Sequence, residues 1–176
     1  GDRGCLDETP VCDTQIRDGI IYHRTKQPFS VGSVVKGVLD WKERFRRMQN
    51  HSGEHVLSGI VCSRFGYENV GFHLGADFMT VDYSGELSPS DLETVEKAVN
   101  RALWDKREIL CRYPSPEELK TLPYRSKKEL KGDVRIVSVE GIDLCACCAP
   151  HVKATGQIGY FKIVDAYAYK GGMRIH

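Results

Sequence analysis

No stretch of this 176-residue chain is apolar for long enough to span a bilayer, and no secretory signal peptide opens it. No repeat or low-complexity segment appears. Neither charge dominates: 25 Lys and Arg face 24 Asp and Glu, leaving a net charge of +1. No global basicity therefore advertises nucleic acid, and neither DNA nor a membrane is expected as a partner. The seven cysteines are odd in number and lack the dense pairing of a secreted disulfide scaffold. Together these absences predict a soluble, cytoplasmic protein with reduced thiols. There is also no initiator methionine at Gly1, so the chain is expected to begin inside a longer protein. Its length suffices for one good core with a small appendage.

The informative stretch runs from Met48 to Gly59, with His51 and His55 four residues apart in a predicted helix from Trp41 to about Phe65. Four residues turn a helix through about 400°, so the two imidazoles share one face, roughly 6 Å apart along the axis. Such a pair can bind one metal ion. Met48, Ser58, Gly59 and Cys62 lie on the same face, and the small residues are expected to leave room before the histidines. On its own, the pair is more often two hydrogen-bonded core histidines. The second half lies downstream, where Cys145, Cys147, Cys148 and His151 fall within seven residues. Cys147 and His151 form C-x-x-x-H. Taken alone, this stretch also fits a cysteine-rich core strand. The conjunction of His51, His55, Cys147 and His151 suits zinc in donor type and number. Cys145 and Cys148 are alternative thiolates, although strand alternation turns Cys148 away from Cys147.

Glu54 opens a second possibility, because His51-Ser52-Gly53-Glu54-His55 also fits the H-x-x-E-H pattern of zinc peptidases. Those sites carry a carboxylate as third ligand, whereas here the downstream pair is Cys147 and His151. Glu54 stands about 60° round from His51 and away from His55, so it is expected behind the ligands or at the surface.

Around these motifs the chain reads as short strands and amphipathic helices. Residues 1–40 carry Ile20–Tyr22, Val34–Val35 and Val38–Leu39 between glycines, the rhythm of a partial small β-barrel. Ser88-Pro89-Ser90-Asp91 and Ser115-Pro116-Glu117-Glu118 are helix starts. Phe78–Tyr83, Arg135–Val139 and Ile158–Val164 read as strands, and Lys170–Ile175 as a turn with a returning strand. The class is α+β, a mostly antiparallel sheet packed with helices, with residues 1–40 and 41–176 as the two parts. Basic clusters at Lys42–Arg47 and Arg125–Lys131 are candidate RNA contacts or solvated faces.

H-x-x-x-H on a helix, followed some ninety residues later by C-x-x-x-H, resembles the editing domain shared by alanyl-tRNA synthetase and the freestanding alanyl-tRNA editing proteins, which is related to that of threonyl-tRNA synthetase. Gly1–Gly4, Gly37–Trp41 with Arg44, Arg47 and Met48, Thr155–Gly159 and Gly171–Ile175 resemble further segments of that family. Cys148, Ala149 and Pro150 stand where glycines and a threonine are frequent, and Gln157 where glutamate is common. Nothing resembles the aminoacylation core, which favours the freestanding type. The resemblance implies the second-additional-domain fold and a zinc-dependent, ATP-independent hydrolase. Its substrate would be the acceptor end of alanine tRNA mischarged with serine or glycine. His51 and His55 would act through zinc, with Ser58 and Thr155 as candidate substrate contacts and Thr80 a weaker one. A structural zinc within a non-catalytic RNA-binding module is the alternative.

Overall fold

The computed structural model describes residues 1–75, 78–126 and 132–176, which divide into two compact units, Gly1–Arg47 and Met48–His176. In the first unit, β1 (Gly4–Leu6), β2 (Thr9–Arg17), β3 (Ile20–Thr25) and β4 (Gly37–Leu39) form an open antiparallel sheet in the order β3-β2-β1-β4. The β2–β3 hairpin turns at Asp18-Gly19, both with positive φ (51° and 76°), the backbone a two-residue type I′ turn demands. Val34 and Val35, expected as a strand, lie in a loop with Val34 fully exposed. Their β-branched side chains raise strand propensity but find no partner strand to pair with. The long helix α1 (Trp41–Phe65) begins here. Asp40 accepts a hydrogen bond from the Glu43 amide, and Glu43 pairs with Arg47 at 2.8 Å.

The second unit is built round the rest of α1. From Ser52 to Gly59 every residue of the helix is buried, so no polar stripe separates core from solvent there. The elements that follow are β5 (Asn69–Leu74), β6 (Met79–Tyr83), α2 (Pro89–Trp104), β7 (Ile109–Arg112), α3 (Pro116–Thr121), β8 (Ile136–Val139), β9 (Asp143–Ala146), β10 (Ala166–Tyr169) and β11 (Gly172–Ile175). They form two antiparallel sheets, ordered β10-β11-β6-β5 and β7-β8-β9. Val56, Leu57 and Val61 of α1, Val95, Val99 and Leu103 of α2, and Val81, Tyr83, Ile136, Val137, Val139 and Ile175 of the strands make the core. Ser88 and Ser115 cap α2 and α3 through capping boxes closed by Asp91 and Glu118. Most of the basic cluster at Arg125–Lys131 lies outside the described residues.

The expected strand Ile158–Val164 is not one. Asn100 of α2 holds Phe161 through two bonds, Nδ2 to the carbonyl at 2.8 Å and Oδ1 from the amide at 2.9 Å. Glu96 accepts from the Ile163 amide. Helix side chains thus take the backbone groups that a strand ladder would need.

Gly59 sets the approach of α1 to the β8–β9 turn. A Cβ there would lie 2.5 Å from the Ile142 carbonyl oxygen and 2.9 Å from Asp143 Cβ. The small residue expected to leave space before the histidines instead admits backbone. Gly59→Ala must push the turn away, and should destabilise the protein by about 1–3 kcal/mol in urea unfolding. An unchanged midpoint would show that the turn is free to move.

Candidate metal centre

Four side chains converge inside the second unit: His51, His55, Cys147 and His151, with one donor atom each, all within 4.8 Å of one another. The histidine pair comes from successive turns of α1. Cys147 and His151 come from the loop that leaves β9. The three imidazole centroids are 4.4, 4.6 and 5.2 Å apart, and His51 Nε2 lies 3.6 Å from Cys147 Sγ. In a tetrahedral zinc site with ordinary bond lengths, a nitrogen and a sulfur donor stand about 3.6 Å apart.

The surroundings fit a metal. His55 Nδ1 is 2.9 Å from Asp143 Oδ2, and a carboxylate acceptor puts the proton on Nδ1 and leaves the Nε2 lone pair facing the cluster. Arg125 holds both oxygens of Asp143, at 2.8 and 2.9 Å. His151 Nδ1 is 3.1 Å from Ser52 Oγ, which also accepts from the Val152 amide. His151 Nε2 is buried and, among the described residues, without a hydrogen-bond partner. A buried lone pair left unmatched, beside a thiol and two further imidazoles, is a donor set awaiting a cation. Arg135 clamps the loop between the last two donors by bonding the Cys147 and Ala149 carbonyls.

Electrostatics within the cluster point the same way. Burial raises the Cys147 thiol, but the imidazoles of His151, His51 and His55 beside it outweigh burial and bring the pKa down to about 3. Burial would lower His55, yet its bonds to Asp143 and Cys147 and the charge of Glu54 lift it to about 9. His151 falls to about 4, chiefly from burial, with the charges of His55 and His51 adding to it. Without metal the cluster therefore holds a thiolate and an imidazolium side by side.

Glu54 is not a surface residue. It is 2% exposed, and its Oε2 lies 4.0 Å from the Nε2 atoms of both His51 and His55. Its Oε1 accepts from Ser58 Oγ at 2.7 Å and from Asn69 Nδ2. Tyr83 Oη meets Ser58 Oγ at 3.0 Å. Neither Ser58 nor Thr155 is among the four converging donors, and both hydroxyls already have acceptors. Ser58 serves the Glu54 network, and Thr155 donates to the Ala102 carbonyl at 2.7 Å. Thr80 alternates with Val81 and so lies on the strand face opposite the core. Cys145 is buried on β9 beside Asp143, in a second grouping with His55, and burial pushes its thiol up to about 12. Cys148 is exposed. Asp143, Arg125, Ser52 and Arg135 carry no spacing signal that could have singled them out.

Residues 134–176 match the family model described as the threonyl and alanyl tRNA synthetase second additional domain. The alanyl-tRNA editing protein AlaX-L of Pyrococcus horikoshii is 30% identical over 176 residues, covering 95% of this chain and 44% of that protein. The resemblance to the alanyl-tRNA editing family stands. An alanyl-tRNA editing protein of Mus musculus is 28% identical, covering 93% of this chain and 40% of its own length. The alanine–tRNA ligase of Pyrococcus furiosus is 27% identical over 95% of this chain and 19% of the ligase. The chain thus spans about two fifths of the length of the editing proteins it matches.

Two outcomes test the centre. Cys147→Ser should abolish stoichiometric zinc in elemental analysis, while Cys148→Ser should keep about one equivalent; zinc loss from Cys148→Ser would show a wrong register. Metal must also displace the His55 proton. Apparent zinc affinity, measured by chelator competition, should therefore rise about tenfold per pH unit from pH 6 toward the His55 pKa of about 9. A flat profile would mean that no proton is displaced.

Proposed function

We propose that this chain is a zinc-dependent deacylase acting in trans on mischarged alanine tRNA, cleaving the ester that joins serine or glycine to the tRNA 3′ end. The observation carrying this reading is the convergence of His51, His55, Cys147 and His151, with an unpartnered His151 Nε2, in a chain similar to alanyl-tRNA editing proteins. An aminoacyl ester is already activated, so catalysis is mainly positioning of the ester carbonyl and a water. Zinc, when bound, would supply Lewis acidity or a water of lowered pKa.

The protein's own contribution is to hold the donors in one orientation and to exclude bulk water. Asp143 fixes the His55 tautomer, Ser52 orients His151, and Arg135 holds the loop between Cys147 and His151. Glu54 brings a carboxylate to the edge of the donor set. That placement is what a peptidase reading would use, but the downstream donors are a thiolate and an imidazole, and a thiolate reduces the Lewis acidity that amide cleavage needs. A purely structural zinc in an RNA-binding module draws support from one feature, the presence of four protein donors, which together close a tetrahedral shell.

The deciding experiment incubates the protein with serine-, glycine- and alanine-charged alanine tRNA, with and without chelator. Serine and glycine should be released, and chelation should abolish the release. Alanine should be released at least tenfold more slowly than serine, as expected when a site hydrogen-bonds the hydroxyl that alanine lacks. Equal hydrolysis of serine and alanine esters would rule out proofreading. Binding of tRNA with no release of any amino acid would establish the structural-zinc alternative.

A further inference from the structure

The four donors are not held equally. His55 is tied through Nδ1 to Asp143, which is itself gripped by both hydrogen bonds from Arg125. Its side chain is 2% exposed. His151 is tied through Nδ1 to Ser52, and Ser52 is fixed in turn by the Val152 amide. Cys147 is tied through its backbone, the amide bonding the Arg135 carbonyl at 3.0 Å and the carbonyl bonding the Arg135 guanidinium at 2.8 Å.

His51 differs in every respect. Only its Nε2 takes part in polar contacts, and no hydrogen bond holds its Nδ1 among the described residues. Its side chain is 14% exposed, against 2% for His55. What supports the ring is Phe72, stacked at 5.4 Å with an interplanar angle of 16°. A stacked face restrains tilt, but it permits sliding and offers no directional bond. Outer hydrogen bonds to a metal-bound imidazole are worth about 10–100-fold in metal affinity, and among the described residues His51 lacks one where its two fellow imidazoles have one.

A tetrahedral ion with four protein donors has no position for substrate, and catalytic zinc sites keep three protein donors and one open position. We infer that His51 is the exchangeable donor of this centre, the one that leaves to admit substrate while His55, Cys147 and His151 remain bound. The inference rests on the metal-dependent reading above and adds to it which side chain opens the site. The His51 side chain already reaches solvent and rests on the Phe72 face, whereas displacing His55 breaks its buried bond to Asp143.

Zinc affinity of the whole chain, measured by competition with a chromogenic chelator, tests the asymmetry. His51→Ala should keep one equivalent, with affinity lowered about tenfold, while His55→Ala and His151→Ala should each lose at least a further hundredfold, the donor and its outer bond being removed together. Cobalt-substituted His51→Ala should keep its thiolate charge-transfer band and shift on adding free imidazole; His55→Ala should not respond. Equal losses in all three variants would overturn the inference and leave the metal centre intact. A wild-type protein that binds no zinc would overturn the metal reading itself. Because a variant can fail to fold, ¹⁵N-histidine spectra of zinc-loaded wild-type protein give a second measurement. The His51 resonance should be exchange-broadened and those of His55 and His151 sharp, and three equally sharp resonances would refute the exchange.

Discussion

The second unit's donor cluster depends on one buried carboxylate. Asp143 stands at the start of β9, 2% exposed in its side chain, and receives Arg125 on one side and His55 on the other. Burial alone would push its pKa up, but hydrogen bonds and charges from His55 and Arg125 hold it below the usual carboxylate range. Removing one partner of such a buried pair strands the other charge, at about 3–5 kcal/mol. Arg125 is committed through its backbone as well, since its amide bonds the Leu144 carbonyl and its carbonyl accepts from the Ala146 amide. Gly59 belongs to the same device. Only a residue without a side chain lets α1 come near enough to the β8–β9 turn for Asp143 to reach a histidine one helical turn away. Helix, strand and ligand orientation are thus fixed by a single packing constraint.

What the sequence made legible was whatever repeats at a fixed spacing. The extent of α1, the capped starts of α2 and α3 and the closing hairpin all followed from local pattern, because the interactions that create them are local. The four donors were legible for a related reason: a four-residue separation on a helix is a spatial statement. The misread segment Ile158–Val164 has the composition of a strand, but its backbone is claimed by Asn100 and Glu96, some sixty residues earlier, and no periodicity encodes that. Of the two places expected for Glu54, behind the ligands or at the surface, it takes the first. The helical angle from His51 was right, but Asn69 and Ser58 draw the carboxylate inward, where a bare helix would have sent it to solvent.

Within the cluster, closeness itself does electrostatic work. Three imidazoles packed within 5.2 Å of one another resist all being imidazolium at once. The fold resolves the conflict by making the environments unequal. His55 has a carboxylate behind it and keeps its proton, while His151 has a neutral hydroxyl behind it and gives its proton up. The thiol loses its proton to the same field. Cys147 and His151 are therefore already in their ligating protonation states, and a cation would have to displace the proton on His55.

Charge counting then gives Glu54 a physical reason to be where it is. A divalent cation with one thiolate and three neutral imidazoles carries a net charge of +1. Asp143 and Arg125 cancel each other, so they leave that excess untouched. Uncompensated charge in a water-poor interior is costly, by several kcal/mol per ion even after relaxation. A carboxylate at Glu54, 4.0 Å from two of the donor nitrogens, brings the sum to zero. Its other oxygen is occupied by Ser58 and Asn69, and burial together with the neighbouring Glu54 charge keeps the Tyr83 hydroxyl protonated, so that it can act as donor to Ser58. This arrangement holds the carboxylate in place by bonds directed away from the donor set. The residue that makes the helix look like a peptidase motif thus has an electrostatic reason for its position beside a thiolate-containing donor set.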